Sequence, residues 1–116
     1  MEDFDICIIG AGPGGTAAAV EASSLGARVA VIEKDEVGGI CLNKGCIPTK
    51  AFLKSALLYE ELKRSDEFGI SCKDISYDLS HIKRRAKEVV NVLRGQLSSS
   101  LKARKIDFIK GKAAFE

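Results

Sequence analysis

Three glycines at fixed spacing, Gly10-x-Gly12-x-x-Gly15, follow a short apolar run at residues 4–9 and precede an alanine-rich segment at residues 16–25. The apolar run is rich in isoleucine and stops at glycine, as a parallel strand covered on both faces would. The alanines carry high helix propensity, and Gly26 is a natural stop. Residues 28–33 form a second short apolar strand that ends in an acid, so the opening of the chain reads strand, glycine turn, helix, strand. In such a βαβ unit each glycine has its own task. Gly10 permits the tight turn, Gly12 lets backbone approach a diphosphate, and Gly15 lets the helix pack closely on the strand. The diphosphate of a dinucleotide would then rest on free N–H groups at the positive end of the helix. Glu33 lies 18 positions after Gly15, where a carboxylate can accept hydrogen bonds from ribose hydroxyls, and an acid there argues against a 2′-phosphate. The bland alternative, a turn that merely joins strand to helix beside a surface carboxylate, leaves the common register of these features unexplained.

From residue 48 to about residue 64, leucines, alanines and aromatics recur at helical spacing, with Pro48 in the first turn, where a missing N–H costs nothing. Residues 66–77 read as a connecting loop. Leu79, Ile82, Ala86, Val89, Val90, Leu93, Leu97 and Leu101 then make an apolar stripe of about six turns at the 3.6-residue period. Gly95 interrupts it at a cost of about 1 kcal/mol relative to alanine, which predicts a bend or break. Residues 106–109 predict a third strand, followed by Gly111-Lys112-Ala113-Ala114-Phe115.

A chain of 116 residues that is 46% apolar and 29% charged is expected to form one ordinary globular domain. Met1-Glu2-Asp3-Phe4-Asp5 is acidic where a secretory signal starts basic, and no apolar stretch approaches the roughly 20 residues of a membrane span. These features predict a cytoplasmic protein with no membrane partner. The basic run Lys83-Arg84-Arg85 with Lys87 lies within the helical stripe and lacks stacking aromatics, so it predicts a solvated helix face and no nucleic-acid partner.

Four cysteines in such a protein are more often catalytic, metal-binding or buried than structural bridges. Cys41 and Cys46 are five residues apart, and in a straight α-helix that separation places Cα atoms roughly 8.6 Å apart, beyond the roughly 7 Å limit of a disulfide. A bridge would need distorted backbone, which Asn43 and Gly45 could supply because both tolerate left-handed conformations. Cys46 falls near the start of the helix beginning around Pro48, where the dipole favours a thiolate, and Lys50 adds positive charge four residues on. On that reading Cys46 is the stabilised leaving thiolate and Cys41 the sulfur that a substrate thiolate attacks. Zinc would need four ligands, whereas this pair supplies two, with Cys7, Cys72 and His81 scattered elsewhere; no metal is expected. Two unlinked buried thiols would leave the surrounding glycines and lysine without a purpose, and a thioredoxin-type pair has two intervening residues, not four. Cys7 is expected to be a small core residue of the first strand, Cys72 a loop residue without a partner, and His81 a structural or solvent-facing residue.

The segments Gly10-Ala11-Gly12-Pro13-Gly14-Gly15, Glu33 and Gly38-Gly39-Ile40-Cys41-Leu42-Asn43-Lys44-Gly45-Cys46-Ile47-Pro48-Thr49-Lys50 together resemble the pyridine nucleotide-disulfide oxidoreductases, and the likeness runs over essentially the whole chain. Leu42-Asn43 and Ile47-Pro48 look more like the branch that oxidises dihydrolipoyl groups with NAD than like glutathione or mercuric reductases, where valine is usual at the apolar positions. Ile40, Lys44 and Thr49 depart from the commonest family residues, threonine, valine and serine. The resemblance implies an α/β fold, an incomplete Rossmann-like FAD/NAD(P)-binding domain with a βαβ start, a parallel sheet and an inserted long helical pair. Residues 1–116 would form the N-terminal part of the FAD-binding domain, with the remaining FAD, NAD and dimerisation parts lying beyond it.

The resemblance also implies tight, non-covalent FAD along Gly10, Gly12, Pro13, Gly14 and Gly15. Its ribose would lie on Glu33, with Lys34 and Gly39 nearby, Lys50 close to the flavin, backbone near Ala113 on the adenine side, and Cys41 and Cys46 as the redox pair. NAD, a lipoyl-bearing protein or small dithiol substrate, and a homodimer belong to the full-length enzyme, and the fragment alone would be inactive. A stand-alone nucleotide-binding redox module is the rival. Against it, a three-strand parallel sheet by itself would leave an unpaired edge and an uncovered face.

Overall fold

The computed structural model describes residues 3–115; Met1, Glu2 and Glu116, and with them the first two residues of the acidic start, lie outside the described residues. Three parallel strands, β1 (Ile6–Ile9), β2 (Val29–Glu33) and β3 (Asp107–Lys110), form one sheet in the order β1-β2-β3. Ile8 pairs with Val31 and Val31 with Phe108. Between β1 and β2 runs helix α1 (Pro13–Ser24), and between β2 and β3 come α2 (Gly39–Lys44), α3 (Cys46–Lys63), a 3-10 turn (Ser65–Phe68) and α4 (Leu79–Ala103). This is a βαβ opening followed by an inserted helical pair, the α/β architecture expected of a partial Rossmann-like domain.

Helix α1 starts three residues before the alanine-rich segment because Pro13 occupies its first turn, where the ring fixes a helical φ and no N–H is lost. Its buried Ala19 and neighbouring Val20 pack against Ile8, Val29 and Val31, and Leu97, Leu101 and Ile106 close the same core. A tight bidentate contact fixes the entry of β2: Arg28 N–H donates to Asp5 Oδ2 at 2.7 Å, and its guanidinium lies 3.1 Å from Asp5 Oδ1.

Helix α4 begins at Asp78, whose Oδ1 accepts from the N–H groups of Ser80 (2.8 Å) and His81 (3.1 Å), satisfying two orphan donors of the first turn. It runs through Gly95 without the expected break. The stripe explains why: Ala86, Val90 and Leu101 are buried and Leu93 and Leu97 half-buried on either side of the glycine, and this packing outweighs a local propensity cost of about 1 kcal/mol. Arg85 donates to the Ala51 carbonyl of α3 at 3.3 Å, so one member of the basic run is used between helices, and Arg84 lies 3.9 Å from Glu88 on the solvated face. Arg94 on α4 and Lys110 on β3 both pair with Glu36, at 3.3 and 3.5 Å, and the Lys110 ammonium also donates to the Asp35 carbonyl.

The expectation that the first strand is covered on both faces fails. Ile8, Val29 and Val31 face α1 and α4, whereas Cys7, Ile9 and Ile109 on the opposite face are exposed, because every described helix that touches the sheet core packs on one side. Cys7 is accordingly not a core residue. The α3–α4 pair extends away from the sheet, and the radius of gyration is 19.9 Å, against about 13 Å for a compact domain of 100 residues. Residues Phe52, Leu53, Leu57 and Leu58 of α3 remain exposed. Among the described residues no helix is long and apolar enough to cross a membrane.

The buried Leu101, 1% exposed, and Leu25, 79% exposed, test where the stabilising contacts lie. Leu101→Ala should lower stability by about 2–5 kcal/mol, and Leu25→Ala should change it by less than about 0.5 kcal/mol. Urea denaturation of both would contradict this packing if the two losses were equal.

Candidate functional site at the carboxyl ends of the strands

Parallel strands present all their carboxyl ends at one edge, so the turn after β1, Glu33 at the end of β2 and the segment after β3 are brought together. The turn itself is held by two close approaches. Gly10 adopts φ +100°, a region costly for any residue with a Cβ. A Cβ on Gly15 would lie 1.9 Å from the Gly10 carbonyl oxygen, so the start of α1 lies directly against the turn. By contrast, Cβ atoms built on Gly12 and Gly14 would meet nothing within 4 Å. No side chain caps α1 and no acid lies in its first turn, leaving its first N–H groups without a side-chain acceptor at the positive end of the dipole. Open glycine backbone with uncapped donors fits a diphosphate.

Glu33 supplies the acid. Its Oε2 accepts from the Ala11 N–H at 2.9 Å, inside the glycine turn, and its Oε1 accepts from the Asp35 N–H at 2.8 Å. The Asp35 and Ala11 donors hold the carboxyl below the ordinary glutamate range, with Lys34 adding to the effect. Each oxygen retains a lone pair for a hydroxyl donor. Gly111 N–H donates to the Glu33 carbonyl at 2.9 Å, which sets Ala113, two residues later and half-buried, at the same edge.

The cysteine segment is tied to the same turn. Gly38 N–H donates to the Ala11 carbonyl at 2.7 Å, and a Cβ on Gly39 (φ +62°) would lie 2.8 Å from Gly12 Cα. Cys41 lies in α2 and Cys46 is the first residue of α3, two residues earlier than Pro48 suggests. The two sulfurs are joined as a disulfide, with Cα atoms 4.7 Å apart. The distortion that permits this falls at Gly45, where the chain breaks between the two helices. A Cβ there would crowd the Ile40 carbonyl oxygen at 3.2 Å. Gly45 has φ −124°, not the expected left-handed backbone. Nor does Asn43 adopt it: among the described residues the only non-glycine residues with positive φ are Asp74 and Lys105. Its contribution comes from its side chain, which donates to the carbonyls of Val37 (3.0 Å) and Gly39 (2.8 Å). Sequence reasoning missed this role, although an amide inside a glycine-flanked loop was its visible signal.

A groove lined by Pro13, Thr16, Ala17, Leu42, Cys41 and Ile47 joins the turn to the disulfide. A second, more polar one gathers Glu33, Lys34, Gly39, Ile40, Asn43 and Lys110. Lys50 is exposed one helical turn after Cys46. Cys72 and His81 are exposed and apart from this site. Among the described residues no three His, Cys, Asp or Glu side chains are grouped to hold a metal ion.

Two variants separate the glycines. Gly15→Ala should cost more than about 1 kcal/mol by overpacking, whereas Gly14→Ala, in open space within the helix, should be neutral or stabilising by up to about 1 kcal/mol; thermal denaturation showing the reverse order would refute the turn geometry. Glu33 carries a pH signature. A carboxyl whose pKa is lowered by folding binds fewer protons folded than unfolded, so its stabilisation is complete above the ordinary range and is lost as pH falls through the lowered value. Glu33→Gln should therefore be less stable than wild type at pH 7, and the gap should begin to shrink once the pH falls below the ordinary glutamate value of about 4.3. A gap that stays constant as the pH is lowered through the acid range would rule out the carboxylate–backbone contacts as its source.

The family model described as pyridine nucleotide-disulphide oxidoreductase matches residues 4–116. The chain is 44% identical over 113 residues to a dihydrolipoyl dehydrogenase of Bacillus subtilis, covering 97% of this chain and 24% of that protein. It is 45% identical over 111 residues to one of Acholeplasma laidlawii, covering 95% and 33%, and 40% identical over 113 residues to one of Staphylococcus aureus, covering 97% and 24%. The chain thus spans about a quarter to a third of the length of these relatives. With a glycine turn, a strand-ending acid and a cysteine disulfide joined at one sheet edge, the chain belongs to the pyridine nucleotide-disulfide oxidoreductase family.

Proposed function

We propose that residues 1–116 are the opening part of the FAD-binding domain of a dihydrolipoyl dehydrogenase, which oxidises a dihydrolipoyl group and reduces NAD through the Cys41–Cys46 disulfide. The observation that carries this reading is the disulfide itself, anchored through Gly38 and Gly39 to the turn that would hold the cofactor diphosphate. The names of the relatives support the dihydrolipoyl branch over glutathione or mercuric reductases. The exposed sheet face at Cys7, Ile9 and Ile109 supports a domain that continues beyond these residues. Turnover belongs to the full-length protein, a cytoplasmic homodimer in this reading.

FAD would be held by Gly10, Gly12, Pro13, Gly14 and Gly15 at its diphosphate, by Glu33 with Lys34 and Gly39 at the ribose, and by backbone near Ala113, with Lys50 towards the flavin. When bound, it supplies the two-electron acceptor through which NAD is reduced. The chain's own part is thiol chemistry. A dihydrolipoyl thiolate attacks Cys41 Sγ, the Cys41–Cys46 bond breaks, and Cys46 leaves as a thiolate at the amino end of α3, where the helix dipole stabilises it. The second substrate thiol then attacks the mixed disulfide at the substrate sulfur and releases Cys41. The lipoyl group is thereby oxidised to a disulfide, and its two electrons reside on the protein dithiol. Lys50, on the same face of α3 one turn later, adds positive charge near that thiolate.

Anaerobic reduction of the full-length protein with dihydrolipoamide should produce the long-wavelength absorption of a thiolate beside an oxidised flavin. Cys46→Ser should lack it, whereas Cys41→Ser should show it without reductant. A band that survives Cys46→Ser would reject the assigned roles.

A further inference from the structure

We infer that Asn43 is a positioning residue for the redox pair, holding the segment that carries Cys41 against Cys46 by donating both amide N–H groups to the carbonyls of Val37 and Gly39. This deepens the redox reading above and rests on it. Helix α2 has six residues, far below the roughly 12–15 at which an isolated helix becomes even marginally stable. No side chain caps its amino end, where Gly38 has φ +98°. Its geometry must come from more than its own backbone ladder, and the Asn43 contacts at 3.0 and 2.8 Å tie its last turn to its first residue, Gly39, and to Val37 ahead of it. Both anchors are themselves fixed. Val37 is buried in the main core, and Gly39 lies so close to the glycine turn that a Cβ on it would come within 2.8 Å of Gly12 Cα.

The amide is used in one orientation only. Asn43 Oδ1 is buried and accepts nothing among the described residues, so what the side chain contributes comes from its two donors. Turning the amide over would set that oxygen against two carbonyls and forfeit both bonds. The position therefore demands a double donor of asparagine's length. Aspartate has the same shape and only acceptors to offer, and glutamine reaches one methylene too far. Because α2 and α3 separate at Gly45, nothing in a continuous helix fixes Cys41 relative to Cys46. The Asn43 brace sets how often the two sulfurs are in bonding range, and so how strongly the bridge is favoured over the dithiol.

The test is to equilibrate the full-length protein in buffers of reduced and oxidised dithiothreitol, trap free thiols by alkylation, and count Cys41 and Cys46 by mass spectrometry. At the buffer ratio that leaves wild type half-oxidised, Asn43→Asp should lower the disulfide-to-dithiol ratio about tenfold, equivalent to a midpoint less negative by about 30 mV for a two-electron couple. Asn43→Ser, which keeps one shorter donor, should fall in between. Ile106→Ala, which trims a buried side chain between α4 and β3, should lower the melting temperature and leave the ratio unchanged. Wild-type ratios in folded Asn43→Asp and Asn43→Ser would overturn the proposal, as would an equal shift in Ile106→Ala. Should Asn43→Asp not fold, Asn43→Ser decides alone, an unchanged ratio counting against the brace. A wild-type protein that never forms the bridge in any buffer would instead refute the redox reading.

Discussion

The backbone of Ala11 is the point through which the site is assembled. Its N–H donates to the Glu33 carboxylate and its carbonyl accepts from Gly38. One residue in a glycine turn thus joins the end of β2 to the entry of the cysteine segment. Without the first bond the acid at the strand end would be free of the turn; without the second, α2 would have no register against α1. Both bonds involve partly buried groups, and an unpaired buried donor or acceptor costs about 1–3 kcal/mol. The turn is therefore favoured in this one arrangement.

The remaining geometry follows from how little space that arrangement leaves. Gly15 lies against the Gly10 carbonyl and Gly39 against Gly12, so three chain segments meet where side chains are absent. Gly12 and Gly14 stay open to the outside of the same turn. The packing that brings backbone together on one side leaves backbone open on the other. A helix whose amino end is left uncapped at such a place favours negative charge.

The cysteine pair illustrates how a forbidden local geometry becomes allowed. Five residues along one helix would hold the sulfurs too far apart, and the chain solves this by ending α2 and starting α3 at Gly45, so that the Cα atoms come to 4.7 Å. The break also places Cys46 at the first position of α3, at the positive end of an 18-residue helix. The same event therefore closes the bridge and, in the proposed mechanism, sets the leaving sulfur where the helix dipole would favour a thiolate.

The amino-acid sequence by itself determined the βαβ opening, the parallel third strand, the long helical pair and which two of the four cysteines stand close enough along the chain to be considered as a pair. Each of these depends on periodicity or on residue types whose backbone preferences act locally. Residues 13–24 and 79–103 show where local reading stopped. The first helix began inside the glycine run because Pro13 suited its first turn, and the second passed through Gly95 because apolar neighbours on both sides were packed against other elements. Only the tertiary structure decided that Cys7 would be exposed, that Glu33 would grip the turn, and that Asn43 would act through its amide. Those outcomes depend on which segments meet across distances of 22 residues in the case of Ala11 and Glu33, and on which face of the sheet the helices cover. Neither is encoded in the spacing of residues along one strand or helix.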